Sequence, residues 1–233
     1  MISILLWDVD GTLLNFLKSE DWALRKCLAA LGVAADDGMI ARYSAVNQRH
    51  WQALERGEIS RQQVMHGRFA EFFRVEGIAC GDIPAFNLDY QTALGQVFFP
   101  NDDALALVRR LRGRVRQYAV TNGSGRAQWA KLRLSGLDTL LDGVFISEEV
   151  GAEKPDAAFF EAVLRAIGPV DKAETVIVGD SLTSDMLGGV RAGLRCWWYC
   201  PDAAAGSTPL PIERTLRDLR EVEALLDSEP SND

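Results

Sequence analysis

The chain has 233 residues, 48% of them hydrophobic and 25% charged, with a formal net charge of −8 and a pI near 4.9. That length holds one large domain, or a core with a smaller insert, and is ample for a sizeable hydrophobic core. The acidic balance argues against a nucleic-acid polymer as partner, because counterion release needs a basic face, while a small anionic substrate can still sit in a locally positive pocket.

The first apolar run, ISILLW, ends at Asp8 and Asp10. It has no basic segment before it and is interrupted too early for a signal peptide. No stretch approaches the ~20 apolar residues of a membrane span, so no membrane association is expected and the expected location is the cytoplasm. From about Phe16 to about Phe98 four helical patterns follow one another: EDWALRKCLAALG, DGMIARYSAVNQRHWQALERG, SRQQVMHGRFAEFFRVEG and IPAFNLDYQTALGQVFF. Glycine or polar breaks separate them and no strand pattern intervenes, which predicts an all-helical insert over residues 16–98.

Beyond the insert, short runs rich in β-branched and aromatic residues alternate with amphipathic stretches. VRQYAVT, GVFIS, TVIVGD and RCWWY read as buried strands. DDALALVRRLRG, GRAQWAKLRLSG, DAAFFEAVLRAIG and a final RDLREVEALLDS read as helices, the first three closed by glycine. PDAAAGSTPLP reads as a surface loop. Strands alternating with helices predict an α/β fold with a parallel sheet covered on both faces, built from residues 1–15 and 99–233. The four cysteines, Cys27, Cys80, Cys196 and Cys200, form no C-x-x-C pair and there are only two histidines, His50 and His66. Reduced, mostly buried thiols are expected rather than a zinc site.

In open parallel sheets, ligands bind outside the carboxyl ends of the strands. That is where the unusual residues collect: Asp8 and Asp10 after the first strand, Thr121 and Asn122 after the second, Lys154 and Pro155 shortly after the third, and Asp180 after the fourth. Alternate residues of a strand point to one side, about 6–7 Å apart, so Asp8 and Asp10 can face one small volume. Two carboxylates so close need a cation or a shared proton. A third carboxylate from Asp180, with no histidine or thiolate near it in sequence, suits a hard cation, and Mg²⁺ is the obvious candidate. Gly11 permits a sharp turn after Asp10, Thr121-Asn122-Gly123 offers donors for a phosphate, and Lys154 adds a positive charge. Taken singly, an Asp-x-Asp is usually a turn or helix cap, a Thr-Asn-Gly a turn, and a Lys-Pro solvated surface. Four such elements, each at the end of a separate predicted strand, point together to phosphoryl transfer through a carboxylate nucleophile.

These residues resemble the haloacid dehalogenase (HAD) superfamily. DVDGTL is similar to its first motif, TN to its second, KP to its third and GDSLTSD to its fourth, in the right order along the whole chain. The resemblance implies a Rossmann-like core, a helical cap of the first type over residues 16–98, and Mg²⁺-dependent hydrolysis of a phosphomonoester. It implies Asp8 as nucleophile, Asp10 as general acid and base, Lys154 as charge stabiliser and Thr121, Asn122 and Lys154 as phosphate contacts. It also implies Asp8, the Asp10 carbonyl and Asp180 as metal ligands, with Asp185 supporting Lys154 or a metal-held water. Relatives that dehalogenate lack the second aspartate, so Asp10 favours a phosphatase; a mutase shares the motifs and is disfavoured only weakly.

Within the superfamily, YSAVNQRHWQALERGEISRQQVMHGRF, ISEEVGAEKPD and VGDSLTSDMLGGVRAGL resemble bacterial pyrimidine 5′-nucleotidases. A small phosphorylated metabolite, in particular a nucleoside monophosphate, is the implied substrate, on a monomer or homodimer; phosphoglycolate or a sugar phosphate is the alternative, and an idle scaffold the contrast. Gly11 departs from the acidic residue expected there in that subgroup. In the insert, Asn47, Trp51, His66 and Arg68 are candidate substrate contacts. The plainer expectation for Trp51 is a core position, and for Arg68 a surface or cap–core ion pair.

Overall fold

The structure is a computed structural model that describes residues 1–202 and 208–228. Six strands, β1 (Ile4–Trp7), β2 (Arg116–Thr121), β3 (Gly143–Ile146), β4 (Thr175–Gly179), β5 (Arg195–Tyr199) and β6 (Arg214–Leu216), form one sheet in the order β3-β2-β1-β4-β5-β6. Every pair in it is parallel. Side chains alternate across such a sheet, and both faces are covered. Leu5 and Trp7 enter one apolar cluster with Ala119, Val176, Val178 and Trp197, whereas Ile4 and Leu6 enter the opposite one with Val120, Ile177, Cys196 and Trp198.

The first of these faces is covered by α5 (Ala104–Leu111) and α11 (Glu221–Ser228), through Leu107, Val108, Leu111 and Val222. The second is covered by α9 (Ala157–Ile167), through Phe159, Phe160 and Val163. The chain order reverses between β1 and β4, which puts the crevice of a doubly wound sheet at the ends of those two strands.

Residues between β1 and α5 form four helices: α1 (Phe16–Ala30), α2 (Asp37–Glu55), α3 (Arg61–Glu76) and α4 (Ile83–Leu94). Their inward stripes make a separate cluster dominated by rings. Phe69 stacks on Tyr43 at 5.3 Å and meets Phe86 edge-on at 4.9 Å. Ser60 and Gln63 close a reciprocal capping box at the start of α3. The two connections to the sheet run side by side: Asn15 N–H donates to the Phe99 carbonyl at 2.7 Å, and Asn101 N–H to the Leu13 carbonyl at 3.1 Å. The Asn101 side chain also donates to the carbonyls of Gly11 and Thr12, each at 2.9 Å.

The five expected strands and the expected insert helices are present. Strand β6 was not expected; it is three residues long and only its Leu216 is buried. A π-helical turn (Leu182–Met186) and α10 (Leu187–Ala192) were also not read as helical. Two glycines break the pattern there, and packing requires them: a Cβ on Gly188 would lie 2.8 Å from Cζ of Phe160. The last helix begins at Glu221 rather than Arg217, because Glu221 turns back to accept from the Arg217 and Asp218 N–H groups at 2.7 and 2.9 Å. Residues 203–207 of the expected loop lie outside the described residues. Among the described residues, no helix is long and apolar enough to cross a membrane.

Candidate active site

Asp8 leaves β1 with its N–H bonded to the Val178 carbonyl of β4 at 2.9 Å, so the chain is still paired to the sheet when the carboxylate projects. It then turns sharply, Gly11 N–H donating to the Leu14 carbonyl at 2.7 Å. Gly11 has φ +104°, and a Cβ there would lie 2.6 Å from Cγ of Asp180. The turn thus needs glycine twice, for its dihedral and for the approach of Asp180.

Lys154 is the hub. It is 1% exposed, and its ammonium donates to Asp8 Oδ1 at 2.8 Å, Asp185 Oδ1 at 2.6 Å and the Val120 carbonyl at 2.7 Å. Burial by itself would lower its pKa, but the Asp185 and Asp8 carboxylates outweigh that and raise it, so the lysine stays charged. Asn122 fixes the lysine's main chain by accepting from Lys154 N–H and donating to its carbonyl, both at 2.9 Å. Its second amide hydrogen is left over at the cavity wall that Asn122 lines.

Asp8, Asp180 and Asp185 each bring a carboxylate oxygen within 4.8 Å of the others. Burial, then the neighbouring carboxylates, raises Asp8 well above the ordinary range despite Lys154. Asp180 lines the cavity, so its tip still meets solvent; enclosure and then Asp185 push it up to about 7. Thr12 donates to Asp180 at 3.2 Å and Ser181 N–H to Asp185 at 3.1 Å. Asp8 Oδ2 is buried without a hydrogen-bond partner. An orphaned oxygen among three converging carboxylates fits a hard divalent cation, which would relieve the repulsion that raises these groups.

Asp10 stands apart from that cluster. Gln128 and Lys131, one turn apart on α6 (Gly125–Ser135), donate to its two oxygens, Gln128 at 2.7 Å to Oδ2 and Lys131 to Oδ1. Sequence reasoning missed both. A lysine mid-helix reads as solvated, yet Lys131 is 1% exposed, and its only sequence signal is a Gln-x-x-Lys spacing just after the Thr-Asn-Gly turn.

The structure brings Asp8, Asp10, Asn122, Lys154, Asp180 and Asp185 around one cavity. Thr121 ends β2 fully buried beneath it and is not in its lining, which starts at Asn122. Among the residues weighed in the insert, Trp51 is half-buried in the cavity wall rather than in the ring cluster, which corrects the core expectation. Arg68 also lines the cavity; it is fully buried and makes no ion pair among the described residues, so the ion-pair expectation fails. Asn47 is buried and bonded to Arg68, and His66 is half-buried outside the lining.

An open parallel sheet with clustered carboxylates and a buried lysine at its switch point places the chain among hydrolases, and it belongs to the haloacid dehalogenase-like hydrolase family, whose profile matches residues 2–193. It is 36% identical over 203 residues to the pyrimidine 5′-nucleotidase PynA of Streptococcus pneumoniae, covering 84% of this chain and 83% of that one. It is 30% identical over 220 residues to the pyrimidine 5′-nucleotidase YjjG of Escherichia coli, covering 94% and 96%. Among solved structures, the magnesium-bound HAD-hydrolase YfnB of Bacillus subtilis superposes with a TM-score of 0.91 at 32% identity, covering 97% of this chain and 99% of that one.

Proposed function

We propose that this chain is a Mg²⁺-dependent phosphomonoesterase that works through an aspartyl-phosphate and acts on pyrimidine nucleoside 5′-monophosphates. The observation that carries the chemistry is the division of labour between two aspartates two residues apart. Asp8 is tied to Lys154 by one oxygen and has the other unpaired, while Asp10 is turned away and held by Gln128 and Lys131. The substrate class rests on the likeness to PynA and YjjG.

Asp8, Asp180 and the Asp10 carbonyl would hold the Mg²⁺, with Asp185 beside them; when bound, the ion supplies positive charge against the phosphate and the clustered carboxylates. An Asp8 oxygen attacks phosphorus and the bond from phosphorus to the ester oxygen breaks; Asp10 serves this step in its protonated form, with one of its two oxygens released from its donor, and gives that proton to the departing alcohol. Asp10, now a carboxylate, takes a proton from water; the resulting hydroxide attacks phosphorus, and the bond to Asp8 breaks to release phosphate. Lys154 draws Asp8 toward its ionised form against the effect of burial and balances charge on the phosphate. Residues 16–98 act as a lid over the core formed by 1–15 and 99–233, and the enzyme works in the cytoplasm.

A panel of UMP, dUMP, ribose 5-phosphate and phosphoglycolate, with Mg²⁺ and with EDTA, tests this. UMP and dUMP should lead, EDTA should abolish turnover, and Asp8→Asn should reduce kcat by about 1,000-fold or more. Full turnover in EDTA or by Asp8→Asn removes the mechanism; a lead for phosphoglycolate removes the substrate class.

A further inference from the structure

Arg68, on α3, is 1% exposed and lines the catalytic cavity. Its Nη1 donates to Asn47 Oδ1 at 2.8 Å and its Nη2 to Asn87 Oδ1 at 3.0 Å, both neutral amides. The guanidinium lies over the rings of Phe69 and Tyr90, 4.9 and 5.3 Å from their centroids. Its Nε–H is buried without a partner. A buried donor left unsatisfied costs about 1–3 kcal/mol, which a ligand that brings an acceptor recovers.

Gln91, on α4, lines the same cavity and is also buried. Its Oε1 is occupied by the Ser124 hydroxyl at 2.7 Å, which among the described residues leaves the amide nitrogen with only the Met65 sulfur at 3.8 Å. Arg68 Nη2 lies on that same sulfur at 3.7 Å, so the two donors converge on one stretch of wall. A thioether is a weak acceptor, and neither donor is saturated by it.

The charge balance selects the ligand. Asn47 bridges Arg68 to Glu20, donating to Glu20 Oε1 at 2.8 Å. Burial leaves Glu20 raised on balance, although the Ser44 and Asn47 hydrogen bonds and then the Arg68 charge work against it. Arg68 is thus already balanced one amide away, and a carboxylate on the leaving group would overfill the pocket with negative charge. A neutral oxygen acceptor matches. Phe16 and Trp51 stand in the same cavity and offer flat apolar surface to a ring.

We propose that Arg68 and Gln91 are the specificity residues that read the leaving group, selecting a ring that carries a neutral carbonyl oxygen, as a pyrimidine base does. This rests on the phosphomonoesterase reading above. The test is the ratio of kcat/KM for UMP over ribose 5-phosphate, which lacks the base. In Arg68→Lys, which keeps the charge but loses the planar fork, that ratio should fall about 10- to 100-fold, chiefly through the KM for UMP. An unchanged ratio, whether both substrates weaken alike or neither does, overturns the proposal. A second measurement needs no variant: dTMP against the 5′-phosphate of difluorotoluene deoxyriboside, which keeps the shape of thymidine but lacks its carbonyl acceptors. About a tenfold or greater loss of kcat/KM is expected, and equal turnover overturns the proposal. Absence of any phosphomonoester turnover removes the underlying reading, and the proposal with it.

Discussion

Lys131 and Asp10 form an ion pair across the catalytic cavity, from the middle of α6 to the loop after β1, with the ammonium almost wholly buried. Gln128 takes the other carboxylate oxygen. The proposed mechanism asks Asp10 to donate and accept a proton at one place, and these two donors would fix that place. Lys131→Met and Gln128→Leu are each expected to lower kcat by about 10- to 100-fold, the worth of a charge-assisted hydrogen bond, with KM changed by less than about threefold. Steady-state kinetics on UMP checks this. Intact kcat in the folded fraction would assign the pair to stability alone.

Gly11 explains its own departure from the acidic residue expected in this subgroup. With φ +104° and Asp180 Cγ 2.6 Å from where a Cβ would stand, a side chain there displaces Asp180. Gly11→Ala should weaken Mg²⁺ binding by about tenfold or more, and Gly11→Asp further, as read by calorimetric titration. Unaltered Mg²⁺ affinity in Gly11→Asp would mean that the turn has another conformation open to it.

Without a cation, Asp8, Asp180 and Asp185 strain against one another. Asp180→Asn should therefore raise Tm in EDTA, by about 2–4 °C per kcal/mol relieved, while losing the gain that Mg²⁺ gives. The unaltered protein should gain about 2.7 kcal/mol of stability at Mg²⁺ concentrations one hundred times Kd. Thermal melts in EDTA and in MgCl₂ decide it; a variant that still gains stability from Mg²⁺ would dismiss Asp180 as a ligand.

Arg61, at the start of α3, reaches the sheet side of the molecule. It donates to the Gly123 carbonyl, to Ser147 Oγ at 3.1 Å and to Glu153 Oε1 at 2.9 Å, the last next to Lys154. Thr183 donates to Glu55 Oε2 at 2.7 Å as a second tie between α2 and the loop after β4. Arg61→Met should cost about 1–3 kcal/mol of stability, since the pair is largely buried, and raise KM several-fold by depopulating the closed arrangement. Small-angle scattering without substrate should show a larger radius of gyration. An unchanged radius and KM would show the contact to be incidental.

How much of this was legible in the sequence follows from which residues announce themselves. Asp8, Asp10, Lys154 and Asp180 interrupt apolar runs at strand ends, and polarity at such a point is conspicuous. The strands themselves were legible because burial on both faces writes continuous apolar runs. Gln128, Lys131 and Gln91 sit inside helices whose polar positions ordinarily face water, so their burial is a product of tertiary packing with little local signature; Arg68 was a candidate by type, but its burial was not legible either. Thr121 and Asn122 show the converse. Their type suggested phosphate donors, and it gave no sign that the Thr121 hydroxyl would be buried or that the Asn122 side chain would bracket the Lys154 main chain.

The two connections between the helical insert and the sheet, Leu13–Asn15 and Phe99–Asn101, are bonded to each other and to the turn that follows Asp10. An excursion of more than eighty residues thus leaves and re-enters at almost one point. Such a cassette can be exchanged or reshaped without rerouting the strands that carry the reacting groups, so recognition can diverge while the chemistry stays fixed. Because both tethers touch the Asp10 turn, any tilt of the cassette would reach first the residue to which the proposed mechanism gives the proton transfers.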